Sequence, residues 1–217
     1  MLQSKPWNWN VADSEYWQTA ASEVYPLVSR WKKLNLTRLL DLGCGVGRHA
    51  LLFASNGFKV SATDLSAEGI EKLNQHAQSN NLQIDTQVAD MIALPYANNS
   101  FDCLIAYHAI YHQDDQGIKK VISEINRVLT PGGEAFITFN SQSNSAFSDP
   151  NNTHLSPNTI IKNSGHESGI PHFYATKGGI EQLLTGFNIV EFSHKEEYYQ
   201  DDPNYVAAHY FVLVKKI

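Results

Sequence analysis

The first residues with a chemical pattern lie at 41–47, where the chain reads DLGCGVG. Glycines at positions 43, 45 and 47 permit positive φ and let a ligand approach the backbone closely, and a helix predicted just after them offers free N–H groups. A dinucleotide-binding turn has the spacing G-x-G-x-x-G, whereas Arg48 occupies the place of that third glycine. Asp41, at the end of the preceding strand, would repel a pyrophosphate but suits the ammonium group of an amino-acid-like ligand.

Two more carboxylates follow the next predicted strands. Asp64 lies 21 residues beyond Gly43, the position from which a carboxylate can accept from both hydroxyls of a ribose. Asp90 can accept from an exocyclic amine, and its neighbour Met91 can pack on an adenine face. The three stretches together describe adenosine with an amino-acid tail, which is the composition of S-adenosylmethionine.

Two histidines come just beyond the predicted fourth strand, and their side chains are candidate proton acceptors. His108 and His112 have i, i+4 spacing, which places both on one face if the segment is helical. The alternative is that one histidine hydrogen-bonds to backbone and the other is exposed. No third ligand occurs at suitable spacing, so we expect no metal site.

Two other segments are candidates for the acceptor side of a site. The loop 165–174 (GHESGIPHFY) contains His166, Glu167, His172 and Tyr174, which can line a polar pocket; the alternative is an ordinary surface loop. Near the amino terminus, Tyr16 and Trp17 can form a lid, because aromatic rings attract a sulfonium cation and exclude water. They can equally pack the first helix against the sheet.

Short apolar runs alternate with amphipathic stretches from residue 37 onward, which is typical of strand–helix units that build a parallel sheet. We expect a single α/β domain over 1–217, with an N-terminal helical cap at 1–35 and an insert at 141–175. The predicted strands are 37–42, 58–63, 82–88, 101–107, 134–140, 187–194 and 205–215. Ser66 is expected to cap a helix that runs to about Ser79.

Composition narrows the function classes. The chain has 217 residues and a net charge of −6, and its basic residues are scattered, which argues against nucleic-acid partners. It has no apolar run long enough for a membrane span and no secretory signal pattern, so we expect a cytoplasmic protein. The two cysteines, Cys44 and Cys103, are expected about 10 Å apart and unpaired.

Five motifs in order resemble those of class I S-adenosylmethionine-dependent methyltransferases of the small-molecule type: DLGCGVG at 41–47, SATDLS at 61–66, VADM at 88–91, FDCLIAYHAIYH at 101–112 and RVLTPGG at 127–133. The resemblance implies a Rossmann-like seven-stranded sheet flanked by helices, in the order 3-2-1-4-5-7-6 with strand 7 antiparallel. The stretch GRHALLFASNGFKVSATDLS is also similar to the tellurite-resistance and thiopurine methyltransferase subgroup, which extends the candidate acceptors to sulfur, selenium and metalloids.

The resemblance also implies a role for each matching residue. Gly43, Cys44 and Gly45 would line the methionine portion, with Asp41 at its ammonium and Tyr107 against its chain. Asp64, with Leu65 beside it, would hold the ribose, and Asp90 and Met91 would hold adenine. His108 and His112 would be the catalytic candidates.

The sequence therefore predicts methyl transfer from S-adenosylmethionine to a small molecule, with S-adenosylhomocysteine as the product. An NAD-dependent oxidoreductase shares the glycine turn and Asp64, but the missing third glycine and the presence of Asp41 and Asp90 count against it. A non-catalytic module that binds S-adenosylmethionine is the other alternative. Either a monomer or a homodimer is compatible with the sequence.

Overall fold

The computed structural model describes residues 2, 4–9, 17–198, 202 and 204–217. Within these ranges the helices are α1 (Tyr25–Lys33), α2 (Arg48–Ser55), α3 (Ala67–Ser79), α4 (Asp115–Val128), α5 (Ser145–Ser148) and α6 (Lys177–Leu183). The strands are β1 (Arg38–Leu42), β2 (Lys59–Asp64), β3 (Ile84–Val88), β4 (Phe101–Ala106), β5 (Leu129–Ser141), β6 (Thr153–His154), β7 (Thr159–Ile161), β8 (Pro171–Ala175), β9 (Phe187–Tyr198) and β10 (Val206–Lys216).

The central sheet has the predicted topology. Strands β3, β2, β1, β4 and β5 are neighbours in that order and run parallel. The edge of β5 then pairs with β10, which is antiparallel to both β5 and β9. Without the three strands of the 141–175 insert, β9 and β10 are the sixth and seventh strands of the chain, so the order 3-2-1-4-5-7-6 with an antiparallel seventh strand is confirmed.

Apolar side chains cover both faces of the sheet, as the nearly uninterrupted apolar run of β4 predicts. Leu104 and Ala106 pack into one buried cluster with α4, whereas Cys103 and Ile105 pack into a second cluster with α1 and α2. The two cysteines are free and buried, as expected. Among the described residues, none of the helices combines the length and apolar character needed to cross a bilayer.

Turn and cap chemistry sets the ends of the helices next to the site. The Ser66 hydroxyl accepts from the Gly69 N–H at 3.3 Å and caps α3, as predicted. Asp114 caps α4 in the same way, with its Oδ1 accepting from Gln116 and Gly117. These caps fix where the loops after β2 and β4 end.

Among its described residues, the N-terminal part contains one helix, α1, which a partly buried ion pair attaches to the sheet. Arg30 donates two hydrogen bonds to the Glu134 carboxylate, at 2.8 and 2.9 Å, and Trp31 Nε1 donates a third at 2.9 Å. Burial would raise the pKa of Glu134, but these donors hold it below its ordinary value. The α1 helix is thereby anchored to β5.

The segment 141–175 adds three short strands to the central sheet, which therefore has ten strands instead of the expected seven. Strands β6, β7 and β8 are antiparallel neighbours, and β8 joins the end of β5 through the parallel pairs Asn140–Tyr174 and Ser141–Ala175. The Phe173 N–H donates to the Tyr111 carbonyl at 2.8 Å, which connects this insert to the loop after β4. The insert therefore lies beside the segment that carries the two candidate histidines.

Candidate functional site

A cavity of about 220 Å³ lies beyond the carboxyl ends of β1, β2 and β4, where the order of a doubly wound sheet reverses and ligands bind. Most of the residues chosen from the sequence line it. They are Trp17, Gly43, Cys44, Asp64, Leu65, Asp90, Met91, Tyr107, His108, His112 and Glu167. Motifs from distant parts of the chain therefore meet in one place.

The glycine turn forms the floor of the cavity. Gly43 has φ +68°, and a Cβ at this position would lie 2.4 Å from the Ala109 Cβ, so only glycine fits. The N–H groups of Gly43 and Cys44 both donate to the Thr63 carbonyl, at 2.8 and 2.9 Å. Because these donors are already used, the turn offers a ligand close backbone approach and carbonyl oxygens.

Asp64 lies where a carboxylate can take a ribose. Its Oδ2 accepts from the Gly45 N–H and its Oδ1 from the Ser66 N–H, each at 2.8 Å. Burial raises the pKa of this carboxyl, and the two backbone donors oppose that shift. A carboxylate offers about four acceptor positions, so about two stay available for hydroxyl groups. The geometry therefore fits the nucleoside part of S-adenosylmethionine.

The two residues predicted to hold adenine also line the cavity. Asp90 and Met91 line the cavity just after β3, and the Asp90 Oδ1 accepts from the Ile92 N–H at 3.2 Å. This bond fixes the carboxylate at the start of the loop. Met91 Cε lies 3.7 Å from the point where a Cβ on Gly43 would stand, which brings the adenine-side residue next to the glycine turn.

Two residues of the predicted cofactor set do not line the cavity. Asp41 is buried beneath the turn, where its Oδ2 accepts from the Ala50 N–H at 2.9 Å. Burial raises the pKa of Asp41 to about 7. Gly45 lies under the indole ring of Trp9, which a Cβ on Gly45 would meet at 2.2 Å. In this arrangement Asp41 holds the first turn of α2, and Trp9 covers Gly45.

His108 stands at the end of β4 in an unusual conformation. Its φ is +50°, a left-handed backbone that a non-glycine residue rarely adopts, and its N–H donates to the Thr138 hydroxyl. The Nδ1 atom is buried and has no hydrogen-bond partner among the described residues. Burial lowers the pKa of His108 well below its ordinary value, so the ring is neutral at pH 7.

His112 meets two residues of the insert. Its Nε2 lies 3.1 Å from Glu167 Oε1, and Glu167 Oε2 lies 3.1 Å from His172 Nε2. Burial would raise the pKa of Glu167, but the two histidines hold it far below its ordinary range. Burial lowers the pKa of His172 to about 4. The expectation of no metal site concerned the pair His108 and His112. The structure instead brings His112 together with Glu167 and His172, whose ligand atoms lie within 4.8 Å of one another.

The other substrate-side candidates are dispersed. His166 is exposed beside Glu167 and does not line the cavity. Tyr174 is buried in the core of the insert, with its ring 5.1 Å from that of Phe147. Tyr16 lies outside the described residues. Trp17 does line the cavity, as a lid residue would.

Aromatic residues before α1 contribute more than the sequence indicates. Trp7 and Trp9 line the cavity and form a cluster with Trp17, with ring centroids 4.6 to 5.4 Å apart. In the sequence, the crowding of tryptophans near the amino terminus is the feature that could have indicated this role. In the structure Trp7 and Trp9 both pack against each other and line the cavity.

Several cavity residues were missing from the predicted set, among them Arg48, His49 and His209. Arg48 approaches the rings of Trp17 and Tyr107, at 5.6 and 5.4 Å from their centroids. His49 is buried, its Nε2 accepts from the Ala21 N–H at 3.3 Å, and burial lowers its pKa to about 3. His209 arrives from β10 with its ring 4.4 Å from that of His108. No spacing signal in the sequence predicts that last contact, because the register of β10 on β5 produces it.

Comparison with known proteins agrees with the geometry. A family described as "Methyltransferase domain" matches residues 39–133. The chain is 35% identical over 99 residues to the 27-O-demethylrifamycin SV methyltransferase of Amycolatopsis mediterranei, covering 44% of this chain and 36% of that protein. The chain thus matches little more than a third of the length of this curated relative.

Solved structures share the fold over most of the chain. A S-adenosylmethionine-dependent methyltransferase from Methanosarcina mazei superposes with a TM-score of 0.73 at 21% identity, covering 89% of this chain and 98% of that one. TehB from Haemophilus influenzae superposes with a TM-score of 0.68 at 18% identity, covering 91% and 63%. At these identities the likeness concerns the fold.

Proposed function

We propose that this chain, a class I methyltransferase by its domain match and its fold, transfers a methyl group from S-adenosylmethionine to a small-molecule acceptor. The observation that carries the proposal is the meeting of three motifs in one cavity. The glycine turn, Asp64 and the Asp90–Met91 pair approach from the ends of β1, β2 and β3. Their chemistry matches a methionine chain, a ribose and an adenine in that order.

A second group of polar side chains in this cavity favours a catalytic role over cofactor binding alone. His108, His112 and Glu167 line the same cavity as the three motifs. A module that only senses S-adenosylmethionine needs no second polar region beside the ligand. This arrangement supports an acceptor pocket, and the share of apolar and aromatic lining supports a small organic acceptor.

S-adenosylmethionine supplies a sulfonium methyl group that an acceptor displaces in line, with sulfur leaving as the thioether. The protein's contribution is to place the acceptor on the axis opposite sulfur and to keep water out. Trp7, Trp9 and Trp17 serve the second task, since their rings cover the cavity. If the acceptor must lose a proton, a neutral His108 can take it at Nδ1, which has no other partner among the described residues.

The relative named 27-O-demethylrifamycin SV methyltransferase has a small-molecule acceptor by its name, and this supports a small-molecule acceptor here. The candidate acceptor atoms are oxygen, nitrogen, sulfur, carbon and metalloids. We place Asp41 beneath the glycine turn, where it positions α2. Its interaction with the ammonium group of the methionine portion is then indirect, through the backbone of the turn or through a water molecule. No observation favours the oxidoreductase alternative.

The test is transfer of a labelled methyl group from S-adenosylmethionine to a panel of small thiols, hydroxyl compounds and amines. Wild-type protein is compared with His108→Gln, which removes the proposed proton acceptor. We expect transfer to at least one acceptor class, and we expect the variant to lose turnover while it binds S-adenosylhomocysteine as tightly as wild type. Tight binding without transfer to any class would favour the non-catalytic module.

A further inference from the structure

We propose that His112, Glu167 and His172 bind one divalent transition-metal ion of the zinc type at the acceptor end of the cavity. Each offers one ligand atom, and the three atoms lie within 4.8 Å of one another. Within the described part of the chain, this is where three such side chains converge. Two imidazole nitrogens and one carboxylate form a ligand set that zinc and ferrous ions use in proteins.

The spacing of the ligand atoms fits one ion. Zinc bonds to nitrogen and oxygen are about 2.0–2.1 Å long, so neighbouring ligands in a tetrahedral site lie about 3.3 Å apart. His112 Nε2 and His172 Nε2 each lie 3.1 Å from a Glu167 oxygen. Both histidine–carboxylate distances are therefore close to that separation, and the three ligand atoms together lie within 4.8 Å of one another.

The second observation is the state of His172. Its Nδ1 donates to the Ile170 carbonyl at 2.9 Å, because a carbonyl can only accept. This is the bond by which metal-binding histidines are oriented, and it leaves the lone pair of a neutral ring on Nε2. The Nε2 atom is buried and, despite its distance from Glu167, has no aligned hydrogen-bond partner among the described residues. A metal ion would satisfy this atom.

The ammonium group of Lys162 competes with a metal ion for the Glu167 carboxylate. Its ammonium contacts Glu167 Oε2, and its side chain is one-quarter exposed. Lys162 and His112 together satisfy the charge of Glu167 without a metal, yet they leave His172 Nε2 unpaired. A carboxylate has about four acceptor positions, so Glu167 can keep Lys162 while it binds an ion.

The position of the cluster would let a bound ion coordinate an acceptor molecule in the cavity. His112 and Glu167 line the cavity, whereas His172 lies buried behind them in β8, so the open coordination positions face the cavity. A thiol or hydroxyl group that binds there releases its proton to solvent. Its lone pair then forms the bond to the methyl carbon while the carbon–sulfur electron pair stays on sulfur. This last step depends on the proposed function; the metal site itself does not.

The first experiment measures metal alone, on full-length protein without a histidine tag. Chelator-treated protein is titrated with Zn(II) by calorimetry, and bound zinc is counted by elemental analysis after dialysis. We expect one zinc per chain in wild type and a loss of affinity of at least about 100-fold in His172→Ala and in Glu167→Gln. His166→Ala, one residue from Glu167 and exposed, is the matched control and should bind like wild type.

Co(II) as a spectroscopic probe tests the geometry. Tetrahedral coordination gives strong visible bands, and a small thiol such as 2-mercaptoethanol should add a sulfur-to-cobalt charge-transfer band in wild type and none in His172→Ala. Absence of zinc at one per chain, or equal affinity in wild type and both ligand variants, would overturn the site. A cobalt spectrum that thiol leaves unchanged would overturn the open position.

These readouts separate the two proposals. S-adenosylhomocysteine binding depends on Asp64 and needs no metal, so it is measured on the same chelator-treated protein. Zinc binding without S-adenosylhomocysteine binding would contradict the proposed function alone. S-adenosylhomocysteine binding without zinc binding would contradict the metal site alone.

Discussion

Replacing Asp64 by Asn tests the ribose assignment with the smallest change of shape. The carboxylate already accepts from the Gly45 and Ser66 N–H groups, and about two acceptor positions remain for a ligand. Asparagine keeps one acceptor oxygen and turns the other into an N–H donor. At least one hydroxyl of the ribose then loses its acceptor.

The magnitude follows from the strength of a hydrogen bond to a charged group, about 1.5–3 kcal/mol. Loss of one such bond weakens binding of S-adenosylhomocysteine by about 10- to 150-fold. The assay is calorimetric titration of wild type and Asp64→Asn. Asp85→Asn is the matched control, because Asp85 is an exposed carboxylate on β3 outside the cavity and should bind like wild type.

The substitution also places an amide near one of two backbone donors, so folding of the variant is checked by thermal unfolding. An analogue of S-adenosylhomocysteine without the ribose 2′-hydroxyl makes the same test on wild-type protein, and it should bind at least about 10-fold more weakly. A folded Asp64→Asn protein with wild-type affinity, or an analogue that binds like the parent, would refute the ribose assignment.

Three further predictions concern folding. Arg30→Met removes the guanidinium that donates to the buried Glu134 carboxylate, so it should lower the free energy of unfolding in urea by about 2 kcal/mol. A loss within about 0.5 kcal/mol would mean that the pair contributes no more than an ordinary surface ion pair. Gly43→Ala adds a clash to a left-handed backbone, whereas at Gly57, where φ is +83°, an added Cβ meets no atom within 4 Å. We expect Gly43→Ala to lower the free energy of unfolding by at least about 1 kcal/mol more than Gly57→Ala. Equal losses in the two variants would contradict this. Asp41 has its pKa raised from 3.8 to about 7, so the folded state keeps a proton that the unfolded state releases and stability falls as pH rises between these values. Asp41→Asn should flatten that slope between about pH 4 and about pH 7 in urea unfolding, and an unchanged slope would exclude Asp41 as its source.

Local patterns predicted most of the fold because each relies on short-range chemistry. The hydroxyl of Ser66 caps α3 where the sequence indicates, and α2 follows the glycine turn as predicted. The strand β5 begins earlier than expected, at Leu129 instead of residue 134, because Leu129 already pairs with Phe101 across the sheet. Such a pairing depends on a neighbouring strand and leaves no local signal.

The functional site, too, has features that the sequence predicts and features that it does not. Asp64 and Asp90 follow strands in the sequence, and parallel strands end at one edge, so their meeting could be predicted. The contact of His112 with Glu167 and His172 could not, because it depends on how β8 joins β5 and on the turn between 165 and 170. Sequence spacing predicts ligands that share one element, whereas this cluster brings together residues from three segments.

The measurement that tests the central claim most directly is calorimetric titration of wild-type protein with S-adenosylhomocysteine, and with NAD as the comparison. The account predicts binding of S-adenosylhomocysteine at one per chain and no binding of NAD, since the glycine turn lacks the third glycine and carries Asp41 beneath it. Binding of NAD alone, or of neither ligand, would contradict it.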